Sequence, residues 1–278
     1  MPTPNPPLDS LQTARIALAC LDLTSLNDND TPADIERLCQ RAQGLHPGRG
    51  AVAAVCVWPR FVKQARALLP PHIAVAAVAN FPEGSISVQR AVRDTAEIVA
   101  AGGQEVDVVI PYQDLAAAPA LLAAVRSACS GLRLKVILET GELQDDALIA
   151  HACHIALDAG ADFLKTSTGK TPRTATPHAA RLLLQAIADD RTARGRVGFK
   201  PSGGIRTVAD AAVYIALTQE ILGADAVTPT RFRIGASGIL SDIEAVLAGA
   251  PHPAAGTPPG LSGLLSGPLS GPLSGTTY

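Results

Sequence analysis

Two lysines end short apolar runs directly before small glycine-containing loops: Lys165 in FLKTSTGK (163–170) and Lys200 in GFKPSGGIR (198–206). Burial disfavours an ammonium, so a lysine in such a run is costly unless water or a partner is near. Two ammonium groups brought close also depress each other's pKa. A lysine lowered toward neutrality offers a free amine that can attack a carbonyl and form a Schiff base, while its neighbour stays charged. Asp107, within EVDVVI (105–110), supplies a carboxylate able to shuttle protons through carbinolamine and enamine steps. This spacing points to amine catalysis, with Lys165 as the nucleophile. Against it stands a bland alternative, in which Lys165 and Lys200 are structural charges paired with Asp107 and Glu139.

The elements that must carry these residues follow a repeating pattern. Apolar runs at 16–21, 51–57, 73–80, 105–110, 134–139, 162–166, 197–201 and 233–236 read as strands. Between them, 32–43, 60–69, 85–101, 112–128, 143–159, 175–194, 208–222 and 237–247 read as helices. Helical spacing is plain in Ala91, Thr95, Ile98 and Val99, and in Leu148, Ala152, Ile155 and Ala156. Thr31-Pro32 reads as a cap followed by proline in the first turn. Eight strand–helix alternations predict a single-domain α/β fold, the TIM (β/α)8 barrel. No GxGxxG follows an early strand and no GxxxxGK[ST] occurs, so an open nucleotide-binding sheet finds no support.

Strand alternation sorts the polar residues. Lys165 shares a face with Phe163 and Ser167, and Lys200 with Gly198; Glu105, Asp107 and Val109 oppose Val106, Val108 and Ile110. In a barrel the charged faces should point into the lumen, and Asp22 and Glu139 fit the same scheme. The loops after the last three strands carry Gly169-Lys170, Gly203-Gly204 and Gly235-Ala236-Ser237. Barrels bind phosphate on loops of this kind through backbone N–H groups. Ordinary tight turns are the other reading of the same glycines.

Composition narrows the partners. With 278 residues, 47% apolar, and a formal net charge of −2, nothing argues for nucleic acid or an anionic membrane surface. The five cysteines are scattered without a CxxC pair, as expected of reduced thiols in a cytoplasmic protein. His151 and His154 lie three apart on a helix, but no third ligand is placed near them, so no metal site is expected. Residues 1–13 read as an N-terminal extension, 14–249 as the barrel, and 250–278 as a flexible tail built on GLSGLLSGPLSGPLSG.

In order along about residues 14–248, the chain resembles the deoxyribose-phosphate aldolase family. The motifs are LDLTSLNDNDT (21–31), AVCVWPRFV (54–62), NFPEG (80–84), EVDVVIPY (105–112), LKVILETGEL (134–143), ADFLKTSTGK (161–170), VGFKPSGGIRT (197–207) and RIGAS (233–237). The resemblance implies a class I aldolase, needing no cofactor or metal, that reversibly cleaves 2-deoxy-D-ribose 5-phosphate into D-glyceraldehyde 3-phosphate and acetaldehyde. It implies Lys165 as the Schiff-base lysine, Lys200 as the second lysine that tunes it, and Asp107 in the proton relay. Asp22, Cys56 and Thr168 match positions lining the family's substrate pocket, and Lys170, Gly203, Gly204, Gly235 and Ser237 its phosphate end. Partners are then a small-molecule sugar phosphate and aldehyde, with a homodimer left open. The chain departs from the family at Gly238, where a second serine is common, at Trp58, where a smaller aromatic is common, and in its long tail. Family members often end in a tyrosine that assists proton abstraction, which makes Tyr278 a candidate proton relay or simply the end of an uninvolved tail. Within enzymes, the alternative is another Schiff-base barrel acting on a different phosphorylated sugar.

Overall fold

Alternation of charged and branched apolar residues, as in Glu105-Val106-Asp107-Val108-Val109, requires a strand with a different environment on each face. The computed structural model, which describes residues 9–44 and 50–249, arranges eight such strands in parallel. They are β1 (Leu21–Thr24), β2 (Ala54–Val57), β3 (Ala74–Ala79), β4 (Glu105–Val109), β5 (Arg133–Ile137), β6 (Phe163–Lys165), β7 (Gly198–Lys200) and β8 (Ile234–Ala236). The sheet order β7-β6-β5-β4-β3-β2-β1-β8 leaves β7 and β8 at its ends, and parallel bridges Phe199–Phe232 and Ser202–Gly235 join them into a barrel.

Helices cover the outside: α1 (Ser10–Ala19), α2 (Pro32–Ala42), α3 (Val62–Leu68), α4 (Val88–Ala100), α5 (Ala118–Ala128), α6 (Thr140–Leu143), α7 (Asp146–Asp158), α8 (Pro177–Asp189), α9 (Val208–Leu222) and α10 (Leu240–Leu247). Thr31 and Thr207 each close a capping box with an aspartate three residues on, which satisfies backbone donors that the first turn leaves open. The expected apolar stripes on α4 and α7 are narrower than their spacing implied, because Val99 and Leu148 are exposed.

The largest departure from the sequence expectation is at the start. Residues 16–21 read as a strand, yet α1 runs to Ala19 and the strand begins only at Leu21. Asp9 accepts from the Gln12 N–H and starts the helix, whose Thr13, Ala14, Ala17 and Leu18 form a helical buried stripe. A short apolar run satisfies both periods, and the cap decides.

Two apolar layers result. Val106, Val108 and Ile110 join the larger core between strands and helices, while Cys56, Ala76, Val78, Val109 and Ile137 pack inside the lumen with Leu26 and Phe81. Asp22, Glu105, Asp107, Lys135, Lys165 and Lys200 bring charge to the same lumen.

Candidate active site

Strand register decides which charges meet. Pairing β4 with β5 sets Asp107 beside Lys135, and pairing β6 with β7 sets Lys165 beside Lys200. Side chains at paired lumen positions project the same way, so three lysines converge on one carboxylate. Asp107 Oδ2 accepts from Lys165 Nζ at 2.8 Å and from Lys200 Nζ at 2.7 Å, and its Oδ1 accepts from Lys135 Nζ at 2.8 Å.

The three lysines differ in how completely they are compensated. Lys135 contacts Asp107, Glu105 at 2.6 Å and Asp22 at 3.2 Å. Lys200 contacts Asp22 at 2.5 Å and Asp107. Lys165 contacts Asp107 alone. Burial pulls all three ammonium pKa values down, and the carboxylates pull them up. For Lys135 the three carboxylates win by a wide margin, and for Lys200 Asp107 and Asp22 still win. For Lys165 burial wins, aided by the charge of Lys200, and its pKa falls below the ordinary lysine value.

A fourth buried cation completes the cluster. Arg233 is buried below the lysines, donating to Asp22 Oδ1 at 2.5 Å and to Glu105 at 2.8 Å. Lys135, Lys165, Lys200 and Arg233 thus share the carboxylates of Asp22, Glu105 and Asp107, and the partly exposed Arg133 adds a further contact to Glu105 at 2.5 Å. The carboxylates remain ionised. Burial raises the Glu105 pKa, but Lys135 and Arg233 outweigh it and hold that carboxyl near about 2; the surrounding cations hold Asp107 well below the usual range. Among the three lysines only Lys165 has accessible side-chain surface, 3% against 0% for Lys135 and Lys200.

Above the lysines, on the C-terminal side of the strands, opens a cavity of about 440 Å³. Thr168, Lys170, Gly203, Gly204, Gly235 and Ser237 all line it, so the three loops singled out in the sequence do converge. Lys165 and Lys200 lie beneath rather than on its wall. At Gly235 a Cβ would sit 3.0 Å from Lys200 Cε, which places the cavity floor directly on that side chain. Gly203 adopts φ +83°, and a Cβ there would meet Thr174 at 2.7 Å, so only glycine lets the β7 loop pass this close.

The donors are unevenly available. The Gly235 N–H donates to Pro201 O at 2.9 Å, so this residue contributes shape and not a donor. Among the described residues, the backbone N–H groups of Gly204, Ser237 and Gly238 have no protein acceptor. They rim the same cavity as Lys170 and Arg206, which gives it unpaired amides and two exposed cations. Such a rim is suited to a phosphate or another small oxyanion.

Asp22 and Cys56 sit apart from the cavity wall. Both are fully buried: Asp22 anchors Lys200, Lys135 and Arg233, and Cys56 belongs to the lumen's apolar cluster. Glu139 does not pair with either catalytic candidate, contrary to the bland alternative, and instead receives hydrogen bonds from Thr168 and Thr171. The other half of that alternative holds, since Asp107 binds both lysines. Tyr278 and the tail lie outside the described residues. Sequence reading missed Lys135 and Arg233 as members of the charge cluster, and Arg206 on the rim. Lys135, two residues before lumen-facing Ile137, carried the signal in its alternation; Arg233 stands before its strand and carried none.

Comparison with known proteins is consistent with this geometry. The family described as "DeoC/LacD family aldolase" matches residues 16–241. A deoxyribose-phosphate aldolase of Agrobacterium fabrum (strain C58 / ATCC 33970) is 48% identical over 246 residues, covering 86% of this chain and 93% of that protein. A Coccidioides immitis protein crystallised as a candidate deoxyribose-phosphate aldolase superposes with a TM-score of 0.73 at 30% identity, covering 87% of this chain and 88% of that one. The tetrameric deoxyribose phosphate aldolase of Aeropyrum pernix superposes with a TM-score of 0.66 at 25% identity, covering 86% of this chain and 97% of that one.

Proposed function

The chain belongs to the DeoC/LacD family of aldolases, and from that premise we propose that it cleaves 2-deoxy-D-ribose 5-phosphate reversibly through a Schiff base on Lys165. The enzyme is a lyase. The observation that carries the mechanism is Asp107 Oδ2, shared by the one lysine whose pKa falls and by a neighbour whose pKa rises.

The neutral Lys165 amine adds to C1 of the open-chain sugar, and the resulting carbinolamine loses its hydroxyl as water to give a protonated imine. Lys200 is the proton donor for that departure, and Asp107 carries protons between the two nitrogens. A base then takes the proton of the C3 hydroxyl, the C2–C3 bond breaks, and its electrons move into the iminium to form an enamine. D-Glyceraldehyde 3-phosphate leaves. Protonation of the enamine at C2 and hydrolysis of the imine release acetaldehyde and return the Lys165 amine.

The phosphate is held at the rim by Lys170 and by the amides of Gly204, Ser237 and Gly238, with Thr168, Gly203 and Gly235 shaping the space. Tyr278 is proposed as an accessory proton relay, and a chain lacking it should turn over more slowly; an unchanged rate removes it from the mechanism. Borohydride reduction in the presence of acetaldehyde tests the central claim, with an adduct on Lys165 expected. Absence of that adduct, or loss of cleavage when a chelator is added, would overturn the reading.

A further inference from the structure

We propose that Glu139, which forms no ion pair with Lys165 or Lys200, is a positioning residue that holds the β6 loop in the shape needed to meet the substrate's phosphate. The proposal rests on the phosphate end assigned above.

Glu139 follows β5 and is fully buried, yet it makes no ion pair with a cation among the described residues. A buried carboxylate without a cationic partner is costly, and burial here raises its pKa against the hydrogen bonds that lower it. It also stands in the left-handed region at φ 53°, and Gln144, at the other end of the short helix α6, does the same at φ 56°. Non-glycine residues are strained in that region and persist where the surroundings over-determine them. Two such residues five positions apart mark a turn held by its neighbours.

Those neighbours belong to one loop. Glu139 Oε2 accepts from Thr168 Oγ1 at 2.5 Å and from Thr168 N at 3.2 Å, and Oε1 accepts from Thr171 Oγ1 at 3.3 Å. Thr168 Oγ1 accepts in turn from the Lys170 N–H at 3.0 Å. One carboxylate therefore fixes the backbone on both sides of Gly169, where Thr168, Gly169 and Lys170 line the cavity. Backbone contacts reinforce the clamp. Thr140 N donates to Thr166 O at 3.0 Å, Arg173 Nη1 donates to Gln144 Oε1 at 2.7 Å, and a Cβ on Gly141 would lie 2.3 Å from Arg173 O. A carboxylate suits this place because the Thr168 hydroxyl and amide both donate to it, while the single proton of the Thr171 hydroxyl is divided between Glu139 and Arg173 O at 2.9 Å.

The test is Glu139→Gln assayed on phosphorylated and unphosphorylated deoxyribose. Loss of one charge-assisted hydrogen bond should raise KM for 2-deoxy-D-ribose 5-phosphate about tenfold with kcat little changed. Competitive inhibition by inorganic phosphate should weaken in parallel. Cleavage of 2-deoxy-D-ribose and borohydride trapping of acetaldehyde on Lys165 should stay at wild-type levels. An unchanged KM, or equal losses on both sugars, would overturn the proposal. If Glu139→Gln does not fold, Thr171→Val removes the hydroxyl that joins the same carboxylate to Arg173 O; it should raise KM for the phosphorylated sugar alone by about threefold, and no change would count against the clamp. The aldolase reading fails separately, by the wild-type enzyme leaving no trapped adduct.

Discussion

Lys135 and Lys165 stand on adjacent strands of one lumen, and their environments drive them in opposite directions. At the lumen floor, Lys135 touches three carboxylates and has no exposed surface, and its pKa is driven far up. At the mouth, Lys165 touches one carboxylate, keeps a sliver of accessible surface, and its pKa falls. Burial alone cannot separate them, because it acts downward on both. The difference lies in how many carboxylates answer each ammonium, which makes the floor a compensated lattice and leaves the lysine at the mouth with a single partner. An amine nucleophile is thus made by withholding partners from one lysine while supplying them to its neighbours.

Lys165→Met should break the pair of behaviours most sharply. Turnover and trapping of acetaldehyde should both disappear, while stability to denaturant stays within about 1 kcal/mol, since Lys165 answers Asp107 alone and Asp107 keeps Lys135 and Lys200. A residual trapped adduct elsewhere would move the nucleophile. Lys200→Leu comes next, with kcat falling by about 10²–10⁴ through loss of a proton donor. Removing this cation also lets Asp107 act on Lys165 unopposed, so the Lys165 pKa rises and less free amine is present at a given pH. The acid limb of the kcat/KM profile should shift to higher pH; a limb that stays in place contradicts the coupling.

Lys135→Met probes the floor. It leaves Asp22, Glu105 and Asp107 short of a cation, and breaking a buried pair in this way costs about 3–5 kcal/mol. Denaturant unfolding should show that loss, in contrast to the near-neutral Lys165→Met. Equal losses in the two variants would erase the distinction between floor and mouth.

Strand alternation made the faces of β4, β6 and β7 legible, and with them the lumen positions of Asp107, Lys165 and Lys200. It could not show who answers whom. Lys135 on β5 meets Asp22 from β1, and Arg233 ahead of β8 meets Glu105 from β4, contacts between non-neighbouring strands that exist only once the sheet closes on itself. A face is a one-dimensional property of a strand, whereas a partner across the lumen depends on the tilt and register of the whole barrel. The same limit explains Asp22 and Cys56, whose packing sets them in the lumen, off the cavity wall. Glu139 was visible as a charge, but its tie to Thr168 depends on a left-handed turn with no sequence signature at a glutamate. The glycine loops were the easiest part, since close backbone approach restricts residue type directly.

The smallest effect expected comes from the rim, where compensation is absent altogether. Lys170 is exposed and forms no ion pair among the described residues, so its charge is screened by solvent until an anion arrives. Lys170→Ala should therefore leave stability and acetaldehyde trapping unchanged, because neither the floor lattice nor the Lys165–Asp107 contact includes it. It should raise KM for 2-deoxy-D-ribose 5-phosphate by about threefold to tenfold, the worth of one partly exposed charged contact, while cleavage of unphosphorylated deoxyribose is spared. Equal losses on the two sugars would mean that Lys170 acts through the lysine cluster below and not on the phosphate. The mouth and the rim would then be one electrostatic unit, and the separation of amine chemistry from phosphate binding would fail.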